Sequence, residues 1–192
     1  MAFNIPNSLT WLRIALVPLF VAVFYLPTGW LPGHNVNLIA TLLFALAGLT
    51  DWLDGWLARR LDQTSSFGAF LDPVADKLMV AAALIVLVDL GRAGVGVALI
   101  IIGREIAISA LREWMAKEGQ AGSVAVSFIG KIKTTAQITA ILLLLYHDPI
   151  PGWPHVAATG TWLLYLAALL TLWSMAHYLH MAWQAMKDQP AA

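Results

Sequence analysis

The chain has no cysteine and very little charge. Without cysteine in its 192 residues, disulfides, thiolate nucleophiles and thiolate metal centres are excluded, although the compartment is not fixed by that absence. Charged residues make up 11% and hydrophobic residues 60%, the balance of an integral membrane protein and not of a soluble core. Eleven basic residues offset eleven acidic ones, so bulk charge gives no argument for nucleic acid, and none is expected as a partner. No cleavable signal peptide is expected, because Arg13 interrupts the first apolar segment and no small-residue cleavage site follows. Internal repeats and low-complexity stretches are also missing. The chain leaves no room for a separate soluble domain, so a single membrane domain is expected over residues 1–192.

What is present is a series of apolar runs of membrane-spanning length. The fold class expected is an all-α integral membrane protein, a bundle of six transmembrane helices with a short N-terminal interfacial segment. Pro6 is read as a turn, with Asn7 or Ser8 capping a first span over about Leu9–Leu26. The second span is read over about Asn37–Ala58, and Arg59 to Phe67 as a polar connection. The third begins near Gly68 or Asp72, where Pro73 should start or kink the helix, and ends near Leu90. Gly91 to Gly94 turn the chain into a fourth span, about Val95–Met115. The fifth covers about Val124–Tyr146 and the sixth about Ala157–Trp183. Arg13, Arg59, Arg60, Lys77, Arg104, Arg112, Lys117, Lys131, Lys133 and Lys187 then share the half that carries the termini, and Arg92 alone falls opposite. The positive-inside rule places that half in the cytoplasm, in a membrane expected to be the bacterial inner membrane. Tryptophans at both ends read as interfacial anchors.

Four aspartates stand out against this background: Asp51, Asp54, Asp72 and Asp76, all within Thr50–Lys77. An ionised Asp at mid-membrane costs roughly 2.5–3.5 kcal/mol, and a group of them repels itself, so the cluster needs a countercharge. On a helix, Asp51, Asp54, Gly55 and Ala58 follow i, i+3, i+4 and i+7 and share a face. Asp72 and Asp76 are i and i+4 on the next helix, with Gly68 one turn earlier. Oxygen-only ligands favour magnesium, manganese or calcium over zinc. Gly55, Ala58 and Gly68 leave room for a bulky group against the helix backbones. The pattern points to a metal-bridged phosphate substrate.

A second polar set lies on spans four and five. Arg104, Glu105, Ser109 and Arg112 follow helical spacing, and Lys131 and Lys133 sit in GKIKT. Being two residues apart, the lysines diverge on a helix. Several cations around one cavity suit a small phosphorylated substrate. Lys117 and Lys187 read instead as snorkelling collar residues, and His177 and His180 as interfacial. Beyond Gln137 the sequence reads as generic membrane helix. Asp89 and Arg92 read as an outer-edge ion pair or as solvated charges.

The pattern D-x2-D-G-x2-A-R-x8-G-x3-D-x3-D, from Asp51 to Asp76, resembles the signature of the CDP-alcohol phosphatidyltransferase family. NIPNSLTWLRI, GREI with LRE, and GKIKT resemble the branch of that family that makes phosphatidylglycerophosphate. The resemblance implies transfer of a phosphatidyl group from CDP-diacylglycerol to sn-glycerol 3-phosphate, releasing CMP, with Mg2+ or Mn2+ as cofactor and a homodimer within membrane lipid. It implies that Asp51, Asp54, Asp72 and Asp76 bind metal and that Asp76 is the general base. It places Asn7, Thr10, Gly55, Ala58, Arg59, Ser65 and Gly68 against CDP-diacylglycerol. Arg104, Arg112, Lys131 and Lys133 fall to the glycerol phosphate. The alternatives are the same chemistry on serine, inositol phosphate or phosphatidylglycerol, or an ion-coupled transporter. The basic set favours a phosphorylated acceptor, and a transporter should show midplane charge and repeat symmetry.

Overall fold

Long apolar runs in the sequence become six helices, with Gly, Pro and short polar stretches between them. The computed structural model describes residues 5–27, 29–61, 66–117 and 128–187. The helices are α1 (Ile5–Phe24), α2 (Gly33–Leu61), α3 (Ser66–Asp89), α4 (Val95–Lys117), α5 (Phe128–Tyr146) and α6 (Val156–Lys187). Among the described residues there is no strand, only one isolated bridge between Ile150 and Trp153. Two stretches, Gly33–Asp51 and Val156–Gln184, are long and apolar enough to cross a membrane, and Thr10–Phe24 and Ile132–Tyr146 are shorter apolar helices.

Several boundaries differ from the sequence reading. Helix α1 starts at Ile5, so Pro6 sits in its first turn, where its missing N–H would have had no intrahelical partner anyway. The first segment is therefore continuous with the helix. Helix α2 continues to Leu61, taking in Arg59 and Arg60, and α3 already begins at Ser66. Pro73 lies inside α3 and does not start it. The loss of one N–H···O bond does not end a helix that is packed against neighbours. Helix α5 begins at Phe128, and residues 118–127 are outside the described set.

The core joins α1 to α6. Phe20, Phe44, Met79, Leu84, Leu87, Ile101, Ile141 and Leu145 are all buried in one cluster, with Ala40, Ala83 and Ala140 letting helices approach. A smaller cluster, Ile108, Met115, Tyr178 and Ala182, joins α4 to α6. Helices α5 and α6 approach closely: a Cβ on Gly160 would lie 2.9 Å from Leu144 Cγ and 3.1 Å from Leu143 Cβ. The outside is apolar too, with Leu42, Ile85, Leu99, Leu169, Trp162 and Trp173 exposed. Apolar faces all round are what a helix surrounded by lipid presents.

The end of α3 shows how local sequence sets tertiary contacts. Gly91 takes φ 67°, and the Arg92 N–H donates to Leu87 O at 2.8 Å while the Gly91 N–H donates to Val88 O at 3.0 Å. This is the Schellman arrangement, which needs a residue tolerant of positive φ at Gly91. The turn aims the Arg92 side chain at the end of α5, where Nη1 donates to Leu144 O (3.1 Å) and Leu145 O (3.0 Å). Arg92 Nη2 also donates to Asn37 Oδ1 at 2.9 Å. Asn37 Nδ2 in turn donates to Asp148 Oδ2 (3.1 Å), and His34 Nδ1 lies 2.9 Å from the same oxygen. Arg92 is half-buried and, among the described ion pairs, is not joined to Asp89. It satisfies carbonyls that the last turn of α5 leaves open.

Candidate active site

Asp51 and Asp76 are reached from the same end of the bundle. Asp51 lies fourteen residues beyond Asn37 on α2, about 21 Å along the helix axis, so the aspartates and the Arg92 clasp occupy opposite ends. A cavity of about 240 Å³ opens beside Asp76, walled by Phe44, Ala45, Ala47 and Gly48 from α2, Met79 and Val80 from α3, and Ile138 and Leu142 from α5. Its polar lining comes from Asp76 and from Arg13 of α1. Small residues on α2 create this space. The hydroxyl of Thr50, which donates to Ala47 O at 2.8 Å, keeps that polar group off the apolar wall. Arg13 Nη1 lies 2.8 Å from Asp51 Oδ1, the arginine side chain being 2% exposed and the aspartate 48%. Asp51, Arg13 and Glu105 all act electrostatically on Asp76.

The second polar set is adjacent. A further cavity of about 210 Å³ between α3 and α4 is lined by Val74, Lys77, Val80, Ala81, Ile102 and Glu105, among others, so Val80 borders both spaces. Glu105 Oε1 accepts from Lys133 Nζ at 2.6 Å and from Arg104 Nη1 at 3.0 Å. Arg104 Nη2 donates to Ser174 Oγ at 3.1 Å, and Ser174 Oγ donates to Thr171 O at 3.0 Å. Arg112 Nη2 donates to the Tyr178 hydroxyl at 3.0 Å. Arg112 and Arg104 also lie over the Tyr178 ring, at 5.1 and 5.7 Å from its centroid. Arg104 and Lys133 are buried, at 8% and 3% exposure. Arg104 and Lys133 share the Glu105 carboxylate, and Arg112 lies beside them on Tyr178. Among the described residues Arg104 Nε has no acceptor, leaving a donor for an anion.

The sequence-predicted residues divide as follows. Thr10 is buried on α1, one turn before Arg13. Asp76 lines the cavity and Asp51 is ion-paired to the cavity-lining Arg13, and Arg104, Arg112 and Lys133 form the cationic cluster. Asn7, Asp54, Gly55, Ala58, Arg59, Gly68, Asp72 and Lys131 fall within α1, α2, α3 and α5, but their side chains are outside the described set, as is Ser65 entirely. Ser174 and Tyr178 were missed: the sixth helix is not merely generic. A buried serine and tyrosine one turn apart, at i and i+4, were the available signal. His177 and His180 face outward as expected, with His180 Nε2 2.9 Å from Gln184 Nε2 on the same helix. Arg13 was also missed, having been read as part of the positive collar.

The donor set suits a hard divalent cation. Asp76 of α3 lines the cavity and Asp51 of α2 is ion-paired to the cavity-lining Arg13, so the locus accepts positive charge. Among the described residues no group of three or more acidic, histidine or cysteine side chains is assembled, Asp54 and Asp72 being outside that set.

Carboxylates and a cationic cluster at one end of an all-helical bundle suit a phosphorylated ligand. The comparisons make this specific. The CDP-alcohol phosphatidyltransferase family profile matches residues 3–173, and the chain belongs to that family. It is 50% identical to the CDP-diacylglycerol–glycerol-3-phosphate 3-phosphatidyltransferase of Escherichia coli strain K12 over 191 residues, covering 98% of this chain and all of that protein. The proteins of the same name from Salmonella paratyphi A and Pectobacterium atrosepticum are 50% and 52% identical, over 98% and 95% of this chain and over 100% and 96% of their own lengths.

Proposed function

We propose that this chain transfers the phosphatidyl group of CDP-diacylglycerol to sn-glycerol 3-phosphate, giving phosphatidylglycerophosphate and CMP. The observation that carries this reading is the adjacency of two charge-sorted sets. Asp76 lines one cavity whose Arg13 pairs with Asp51, and beside it Arg104 and Lys133 bind Glu105, with Arg112 on Tyr178, Glu105 also acting electrostatically on Asp76. The first set suits a diphosphate with its cation, and the second suits a phosphorylated acceptor. The relatives that align over nearly the whole chain carry the name of this activity.

In this reading Asp51, Asp54, Asp72 and Asp76 would hold Mg2+ or Mn2+, which when bound would supply neutralisation of charge on the diphosphate. Asp76 accepts the proton of the glycerol hydroxyl as its oxygen attacks the phosphatidyl phosphorus. The phosphoanhydride bond breaks, and CMP departs with the bonding pair. Arg104, Arg112, Lys131 and Lys133 hold the acceptor phosphate. Asn7, Thr10, Gly55, Ala58, Arg59, Ser65 and Gly68 receive the cytidine diphosphate. Residues 1–192 work as one domain of six membrane-crossing helices, paired as a homodimer, with the site facing the cytoplasm of a bacterial inner membrane. A lipid donor and a soluble acceptor meet at that interface.

The test is release of CMP by purified protein given CDP-diacylglycerol, glycerol 3-phosphate and Mg2+. Release with serine or inositol phosphate in place of glycerol 3-phosphate, and none with the latter, would move the chain to another acceptor. No release with any acceptor would end the transferase reading.

A further inference from the structure

Gln137 is a polar residue of α5 that the bundle leaves unanswered. Its side chain is buried, at 4% exposure, and among the described residues its Oε1 has no donor. A buried carbonyl oxygen without a donor destabilises a fold, and an apolar side chain would fill the same space without that loss. Its place on the helix is specific. At about 100° per residue, Gln137 lies about 40° around α5 from Lys133, with Ile138 about 100° further on. Lys133 Nζ is held by Glu105 in the cationic cluster, and Ile138 walls the cavity that Asp76 lines. Gln137 therefore stands between the two.

We propose that Gln137 is a specificity-determining residue, its Oε1 accepting a hydrogen bond from the secondary hydroxyl of the glycerol phosphate acceptor. This rests on the reading of the chain as a glycerol-phosphate transferase. In that reading the acceptor's phosphate lies on Arg104, Arg112 and Lys133, and its attacking primary hydroxyl lies at Asp76. The carbon between them carries the secondary hydroxyl, and Gln137 falls between those two ends on α5. The inventory of donors and acceptors selects the group. An amide oxygen only accepts, and so do a phosphate dianion and an ionised carboxylate, so neither of these satisfies it. The neighbouring cations are engaged elsewhere, Lys133 with Glu105, and Arg104 with Glu105 and Ser174. A hydroxyl supplies the missing donor and brings no charge into the bundle. A site built to hydrogen-bond a hydroxyl rejects the analogue that lacks it, because the amide is then left unpaired again.

The monophosphate of propane-1,3-diol keeps the attacking hydroxyl and the phosphate and lacks only the secondary hydroxyl. CMP release by detergent-purified protein, given CDP-diacylglycerol and Mg2+, is measured with this analogue and with sn-glycerol 3-phosphate. Wild type should favour glycerol 3-phosphate in kcat/KM by about tenfold or more, the scale of one buried hydrogen bond. Gln137→Met keeps the length of the side chain and removes the amide. Its ratio should fall to within about twofold of unity, with the loss confined to glycerol 3-phosphate. A wild type that uses both acceptors equally overturns the proposal without any variant. So does a Gln137→Met protein that loses activity on both in the same proportion, or that otherwise keeps the wild-type ratio. Should Gln137→Met not fold, Gln137→Asn draws the amide back by one methylene, and its ratio should fall likewise; an unchanged ratio overturns the proposal. CMP release by wild type with neither acceptor removes the glycerol-phosphate reading first, and this proposal with it.

Discussion

Lys133 Nζ lies 2.6 Å from Glu105 Oε1, so a cation of α5 is tied to α4 by a carboxylate that Arg104 shares. The pairing fixes the ammonium of a long flexible side chain inside the bundle, where an anion can meet it without further ordering. Lys133→Ala should therefore raise KM for glycerol 3-phosphate by about tenfold or more, the scale of one charged hydrogen bond. KM for CDP-diacylglycerol should stay within about twofold. Initial-rate measurements varying each substrate separate the two, and equal changes in both would remove Lys133 from the acceptor site.

Tyr178 holds two guanidiniums by different means, its ring under both and its hydroxyl accepting from Arg112. Tyr178→Phe keeps the ring and should lose only a small factor in acceptor KM. Tyr178→Leu loses both contacts and should lose more, with the two arginines no longer spaced. The order Tyr, Phe, Leu in glycerol 3-phosphate KM is the readout, with circular dichroism confirming helix content.

Asp76→Asn replaces a proton acceptor by an amide of the same shape. Turnover should fall by roughly 10²–10⁴ or below detection, the contribution of a positioned general base. Thermal unfolding should remain close to wild type. An active Asp76→Asn protein would transfer the base role elsewhere.

Gly160 tests the α5–α6 contact. An alanine Cβ would sit 2.9 Å from Leu144 Cγ, a branch point that cannot swing aside as a chain end can. Gly160→Ala should destabilise by about 1–3 kcal/mol. Adding Leu144→Ala should recover part of that loss, and additivity of the two effects in thermal unfolding would contradict the contact.

The Asp148 carboxyl, in the loop between α5 and α6, is held below the usual carboxylate range, chiefly by the hydrogen bond from Asn37 and further by His34. A carboxylate whose folded pKa is depressed adds stability that is present above its unfolded pKa and is lost as pH falls through the folded one. Stability of the wild type should thus fall as pH drops below about 4, and Asp148→Asn should flatten that part of the curve. Melting temperatures from pH 3 to pH 6 compare them.

The helices, and the placing of Asp51, Asp76, Arg104 and Arg112 on them, were legible in the sequence because each rests on a local rule. Apolar runs and Gly/Pro punctuation located α1 to α6, and i, i+3 and i+4 spacing brought out Asp51, Asp76, Arg104 and Arg112. Helix ends were less legible: a polar stretch such as Arg59–Leu61 continues α2 because nothing in it breaks a helix. Long-range partners were not legible at all. Ser174, Tyr178 and Arg13 carry no local mark of function, and their roles come from which helix lies beside them. Arg92 is the same case: charge patterning offers Asp89 three residues away, whereas the Schellman turn swings the side chain to α2 and α5.

That turn governs where the bundle is free to breathe. Arg92 bolts the α3–α4 corner to two other helices at the end remote from the aspartates, with its donors on neutral oxygens that no incoming ion will claim. The opposite end carries the charged pair of Arg13 and Asp51. Under the proposed function, a two-tailed amphiphile entering sideways would meet ribs pinned at the far rim, so any splaying that admits it would fall at the end that carries Asp51 and Asp76.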